Sequence, residues 1–150
     1  MPDMDLILWR HADAEDGIPD AERRLTGAGL QQAQRMAAWL KQRLPGDVVI
    51  LVSPARRARE TAQAFCGEFN ASPEVGTGAT PQSILAAAKW PHGKGAVLVV
   101  GHQPTLGQAA ALVLTGRPAE WSLRKGAVWW LASRGEDEAV IRAVITPDLV

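Results

Sequence analysis

The stretch Leu6-Ile7-Leu8-Trp9-Arg10-His11-Ala12 decides the architecture. Its continuous apolar run reads as a short central strand with both faces covered. The strand then ends directly in a cation and an imidazole, a pair that a sheet edge keeps for something anionic. The arrangement recurs twice. Residues 48–52 lead into Ser53-Pro54-Ala55-Arg56-Arg57, and residues 96–100 lead into Gly101-His102-Gln103-Pro104. Each apolar strand is followed by a helical pattern, so the three charged ends are expected to converge on one phosphate-sized site.

Around these strands the chain alternates between β and α periodicity. Residues 13–24 are polar and contain Gly17 and Pro19, which predicts a loop over the carboxyl end of the first strand. Thr26 is a candidate N-cap for a helix reaching about Arg43, with Leu30, Ala33, Met36, Ala37, Leu40 and Leu44 on its apolar stripe. Ser53 as cap and Pro54 at the first position predict a second helix running to about Phe69. Residues 70–80 read as a loop with one short edge strand, 81–90 as a short Ala-rich helix, and 104–114 as the helix after the third strand. The end differs: residues 127–131 and 139–145 are β-like runs joined by Ser133-Arg134-Gly135-Glu136-Asp137, which predicts an antiparallel hairpin. The whole is expected to be a three-layer α/β/α domain spanning residues 1–150, with a mostly parallel sheet carrying that hairpin. In such sheets ligands bind beyond the carboxyl ends of the strands, where Arg10, His11, Arg57 and His102 fall.

Composition narrows the partners. Lys plus Arg and Asp plus Glu both number 16, so the formal net charge is zero. That argues against bulk attraction to nucleic acid or an anionic membrane, and leaves room for a local basic pocket. No apolar stretch approaches the roughly 20 residues of a membrane helix. The acidic start, Met1-Pro2-Asp3-Met4-Asp5, lacks the features of a secretion signal. A single cysteine, Cys66, excludes an intrachain disulfide and reads as a buried core thiol. The expected location is the cytoplasm. His11, His92 and His102 lack close ligand spacing, so no metal and no cofactor are expected.

A phosphoryl group spreads its charge over three oxygens, so catalysis at phosphorus is mainly positioning and charge stabilisation. Arg10 and Arg57 supply planar forks for those oxygens. His102 supplies a further donor. His11 can attack phosphorus when neutral with one ring nitrogen free, and neighbouring guanidinium groups favour the neutral form. The helix opening at Pro54 is expected to aim its dipole at the same region. No Gly-x-x-x-x-Gly-Lys loop is present, so a nucleotide P-loop is not supported.

These residues resemble the histidine phosphatase superfamily, whose fold is called phosphoglycerate mutase-like. The family's strand followed by Arg-His-Gly reads here as Arg10-His11-Ala12. The resemblance continues through Arg24-Leu25-Thr26, Gly29, Ser53-Pro54-Ala55-Arg56-Arg57-Ala58-Arg59-Glu60-Thr61-Ala62 and Gly101-His102-Gln103-Pro104. The short chain and the Arg-His-Ala-Asp-Ala start look most like the SixA-type phosphohistidine phosphatases. The resemblance implies a metal-independent phosphatase with His11 as the nucleophile that becomes phosphorylated. It implies that Arg10, Arg57 and His102 bind the phosphoryl group, and it favours Arg57 over Arg56.

Two positions depart from the pattern. Ala12 replaces Gly, a mild change provided that the backbone there does not need positive φ. Larger members carry a proton-donating acid between the second Arg and the second His. Only 45 positions separate Arg57 from His102 here, and residues 75–80 hold no carboxylate, with Glu74 expected to precede the site. Imidazole leaves phosphorus far more readily than an alkoxide does, so a site without that acid suits a phosphohistidine substrate. The expected partner is therefore a phosphohistidine-bearing protein, a phosphotransfer domain or a phosphocarrier. A small phosphate ester and a non-catalytic phospho-ligand module are the alternatives. Arg124 and Lys125 read as exposed loop charges, with the pocket as the other option. Asp13 reads as a loop cap, and His92 as a surface residue.

Overall fold

The computed structural model describes residues 3–135 and 137–150; Met1 and Pro2 of the acidic start and Glu136 of the hairpin turn lie outside the described residues. Six strands form one sheet: β1 (Asp5–Arg10), β2 (Val49–Val52), β3 (Asn70–Ala71), β4 (Ala96–Gly101), β5 (Val128–Arg134) and β6 (Glu138–Ile145), in the order β3-β2-β4-β1-β5-β6. The first four run parallel. β5 lies antiparallel on β1, and β6 antiparallel on β5. The expected hairpin is therefore added to the sheet beside the strand that carries Arg10.

Alternation along β1 and β4 divides the core between the two faces of the sheet. Ile7, Trp9, Leu98 and Val100 pack with Met36, Ala37 and Leu40 of α1 (Gly27–Lys41) and with Ala58 and Ala62 of α2 (Arg56–Phe65). Leu6, Leu8, Val97 and Val99 pack with Ile84 and Ala88 of α3 (Pro81–Ala88) and with Leu106, Ala109 and Ala110 of α4 (Thr105–Thr115). All eight of these strand side chains are buried, which is why both strands read as continuous apolar runs rather than alternating ones.

Thr26 caps α1, accepting a hydrogen bond from Gly29 N at 2.9 Å. Its stripe is buried at Ala33, Met36, Ala37 and Leu40 but not at Leu30, which is 46% exposed. α2 is shorter than its apolar pattern suggested, opening at Arg56 rather than Pro54 and ending at Phe65 rather than Phe69. Ser53 does not cap it in the expected way: its hydroxyl accepts from Ala55 N at 3.2 Å and turns to a histidine. Cys66 stands just past the helix, half-buried, with Sγ beside the backbone of Glu68. It is not the core thiol expected from a longer helix. Among the described residues no helix is long and apolar enough to cross a membrane.

Candidate active site

The carboxyl ends of β1, β2 and β4 carry the candidate residues into one cavity of about 310 Å³, lined by Arg10, His11, Arg57 and His102 among others. β1 delivers Arg10 and His11. The His11 amide donates to Gly101 O at 3.0 Å, which keeps β1 and β4 in register past the last strand residues. Ala12 N donates to the Thr61 hydroxyl at 3.0 Å, and that hydroxyl donates to Arg57 O at 2.8 Å, so α2 is tied to the nucleophile segment. Lys89 is the non-glycine residue with positive φ among the described residues; Ala12 does not require it, and the Gly-to-Ala departure is harmless.

His11 is 7% exposed. Its Nδ1 lies 2.7 Å from Ala12 O. A carbonyl oxygen only accepts, so Nδ1 carries the proton and Nε2 presents a lone pair. Burial pushes the His11 pKa down to about 3, with His102, Arg57 and Arg10 adding repulsion for a proton. The ring is therefore neutral at physiological pH. His102 stacks obliquely at 5.2 Å between ring centroids. Its Nε2 meets the buried Ser53 hydroxyl at 2.7 Å. Burial, then Arg57, lowers its pKa to about 4. The sequence allowed for a protonated His102; the structure holds it neutral, donating through one ring nitrogen only.

Arg10 Nη1 donates to Leu123 O at 2.8 Å. Gly126 N donates to the Arg10 and His11 carbonyls, both at 3.1 Å, so the segment before β5 straps the nucleophile in place. Arg57 is buried. It donates through Nη1 to Asp20 O at 2.9 Å and through Nη2 to Asp20 Oδ2 at 3.1 Å. The Nε of Arg10 and of Arg57 are buried donors without an acceptor among the described residues. Leaving such a donor unsatisfied costs about 1–3 kcal/mol, which makes both arginines receptive to an incoming oxyanion. Arg56 pairs instead with Glu60 on the outer face, and Arg59 donates to Pro54 O. α4 contributes its first residue, Thr105, to the cavity wall, and α2 its second, Arg57. The first turns of both α2 and α4 therefore stand at the cavity, and the helix expected to open at Pro54 reaches it through Arg57.

Among the lining residues, two charged ones were not singled out in the sequence and a third was left between two readings. Asp20 and Arg23 come from the polar loop after β1, and nothing in a loop's composition fixes which of its charges turns inward. The Asp20 carboxyl is held below its usual range by hydrogen bonds from Arg23 and then Arg57. Lys125 was read as an exposed loop charge. It lines the cavity while its Nζ bonds Asp13 Oδ1 at 2.8 Å. Asp13 Oδ2 accepts from the Thr26 hydroxyl at 2.8 Å, so Asp13 is the loop tie the sequence suggested, with Lys125 as its second partner. Glu74 does not line the cavity; its carboxylate accepts from Ser72. No group of three His, Cys, Asp or Glu side chains among the described residues is arranged to hold a metal ion.

Comparisons with known proteins agree with this geometry. Residues 6–78 match the histidine phosphatase superfamily (branch 1). The chain is 33% identical over 122 residues to the phosphohistidine phosphatase SixA of Escherichia coli K12, covering 75% of this chain and 76% of that one. It is 34% identical over 141 residues to an uncharacterized protein of Picosynechococcus, covering 87% of this chain and 86% of that one. A solved structure of the protein histidine phosphatase SixA complexed with tungstate superposes with a TM-score of 0.84 at 25% identity, covering 97% of this chain and 99% of that one. A neutral histidine between two arginines at the carboxyl ends of parallel strands, in a chain so similar to these, makes this protein a member of the histidine phosphatase superfamily.

Proposed function

We propose that the protein is a phosphohistidine phosphatase acting through a covalent phospho-His11 intermediate. The observation that carries this reading is the His11 ring, neutral and pinned through Nδ1 to Ala12 O at 2.7 Å. That leaves Nε2 free to attack phosphorus among Arg10, Arg57 and His102. In the first step Nε2 forms a bond to phosphorus while the bond from phosphorus to the substrate imidazole nitrogen breaks, its electron pair staying on that nitrogen. Arg10, Arg57 and His102 hold the three oxygens as charge shifts toward them. In the second step a water oxygen bonds phosphorus, the phosphorus–His11 bond breaks, and inorganic phosphate departs. The positive charge comes from arginines, so we propose that no metal takes part.

A missing proton donor supports the choice of substrate class. The carboxylate that does line the cavity, Asp20, is held ionised by Arg23 and Arg57 and has no proton to give. A departing imidazole takes its proton from solvent readily, whereas an alkoxide needs an acid beside it. The similarity to a phosphohistidine phosphatase of Escherichia coli points the same way. We place the enzyme in the cytoplasm, where its single half-buried thiol stays reduced.

The test is phosphate release, with EDTA present, from a phosphohistidine-bearing protein and from p-nitrophenyl phosphate. Fast release from the first and little from the second is expected. Release from the ester alone would turn the assignment to a small-molecule phosphomonoesterase. Binding without release from either would leave a phospho-ligand module.

A further inference from the structure

We propose that the basic cavity beside the catalytic pocket is a docking groove for acidic side chains flanking the phosphohistidine of a partner protein. The inference rests on the phosphohistidine reading above and adds to it a surface and the kind of partner that fits it.

The groove holds about 580 Å³ and lies between the first half of α1, the strap before β5 and the C-terminal turn Pro147–Leu149. Arg10 and Lys125 line both the groove and the catalytic cavity, so the two lie side by side with these cations between them. A phosphoryl group seated at His11 therefore leaves the rest of its carrier facing the groove.

Charge identifies the occupant. Arg10, Arg35, Arg124 and Lys125 line the groove against one acid, Asp148. α1 contains no Asp or Glu at all, so its groove-facing side offers nothing to neutralise Arg35. Asp148 is engaged within its own turn by Thr146. Lys125 is engaged by Asp13. In the catalytic cavity Arg23 and Arg57 each have a carboxylate partner, as Arg24 and Arg56 do outside it. Arg35 and Arg124 are exposed, and neither forms an ion pair among the described residues, although Arg124 lies near enough to Asp148 to favour its ionised form. Four basic side chains against one acid, two of them in no direct ion pair and next to an anion site on a neutral protein, mark a surface complementary to carboxylates.

Geometry favours a macromolecular carrier. Ala28 and Arg35 bound the α1 side of the groove and lie seven residues apart, or roughly 10 Å at 1.5 Å per residue. That span equals one to two turns of a helix on the partner. The phosphate alone is held at His11, and a small ester would leave Arg35 and Arg124 without a partner.

The experiment compares the wild-type protein with an Arg35→Glu/Arg124→Glu variant on three substrates. These are a phosphotransfer domain with acidic residues one and two turns from its phosphohistidine, the same domain with those acids changed to amides, and free phosphohistidine. Neither arginine lines the catalytic cavity. The expected result is a loss of about tenfold or more in kcat/KM on the acidic domain, carried by KM, with free phosphohistidine turned over as before. The amide-substituted domain should be insensitive to the variant, and raised ionic strength should reproduce the loss in the wild type. An Arg35→Gln/Arg124→Gln variant should fall between the two. Equal activity of variant and wild type on the acidic domain would overturn the groove while leaving the phosphohistidine reading intact. An equal loss on free phosphohistidine would also overturn it, since the arginines would then serve the pocket itself. A wild-type protein inactive on all three but active on p-nitrophenyl phosphate would remove both readings together.

Discussion

Asp20 puts its carboxylate where a phosphoryl oxygen would meet Arg57, at 3.1 Å from Nη2, and shares its other oxygen with Arg23 at 3.1 Å. An oxyanion entering the cavity must displace that carboxylate or repel it. Asp20→Ala should therefore tighten inhibition by inorganic phosphate several-fold and lower KM; weaker inhibition would show instead that Asp20 holds Arg57 in its working orientation. His11→Ala should remain folded and lose activity by about a thousandfold or more, because no neighbouring group can take over the bond to phosphorus. Residual turnover near the wild-type rate would remove His11 as nucleophile. The two residues differ in how readily the sequence reveals them. His11 follows an apolar strand whose direction fixes where it points. Asp20 sits in a polar loop, and its position depends on a turn that no periodicity encodes. For Lys125, also in a loop, the sequence left the pocket as one of two options, and the reading of Ser53 as a cap obscured its bond to His102.

At the scale of elements, the site depends on how closely two helices approach the backbone that carries it. A Cβ on Gly29, in the first turn of α1, would lie 2.0 Å from Asp13 O. One on Gly107 in α4 would lie 1.6 Å from Trp121 O. Only glycine permits either contact. Gln103 reinforces the second, donating to Trp121 O at 2.8 Å and accepting from Gly107 N at 2.9 Å. Gly107→Ala should destabilise the protein by about 1–3 kcal/mol in urea denaturation. It should also lower activity, since the displaced segment includes Leu123, whose carbonyl holds Arg10. A change within about 0.5 kcal/mol of wild type would show that residues 119–126 yield freely. Thr26→Ala should cost about 1 kcal/mol through the lost cap. It would also release Asp13, and through it Lys125, so phosphate affinity should shift while the cavity persists. The helices themselves were legible because α1 and α4 bury regular stripes. The extent of α2 was not, because Phe65 and Phe69 both pack against the core although only the first belongs to the helix. Gly29 could be noted as part of a resemblance, but the close approach that demands it is visible only once Asp13 is placed.

The molecule as a whole holds two neutral histidines in a cationic pocket at the end of its sheet, and its stability should record this. Between pH 7 and 5 the unfolded chain protonates His11 and His102 near their ordinary value of 6.5, whereas the folded protein resists protonation until about 3 and about 4. Folded values below unfolded ones mean that the unfolded state binds more protons in this window, so unfolding free energy falls as pH falls. The contribution is complete above about pH 6.5 and declines by at most about 1.4 kcal/mol per pH unit for each histidine below it. The carboxylates of Asp13 and Asp20 are held below their ordinary range by hydrogen bonds from Lys125 and from Arg23, so they stay ionised above pH 5 and do not enter. Urea denaturation at pH 7.5 and 5.0 should therefore show a clear loss in the wild type. In a His11→Asn/His102→Asn variant the loss should be smaller by about 1–3 kcal/mol. The sequence anticipated the sheet, the hairpin and the meeting of these residues because strand direction and order decide them. It left His102 open to protonation because burial emerges only when β1, β2 and β4 close around the pair. Equal pH dependence in wild type and variant would mean that the histidines titrate normally, and that His11 is not held neutral by its surroundings.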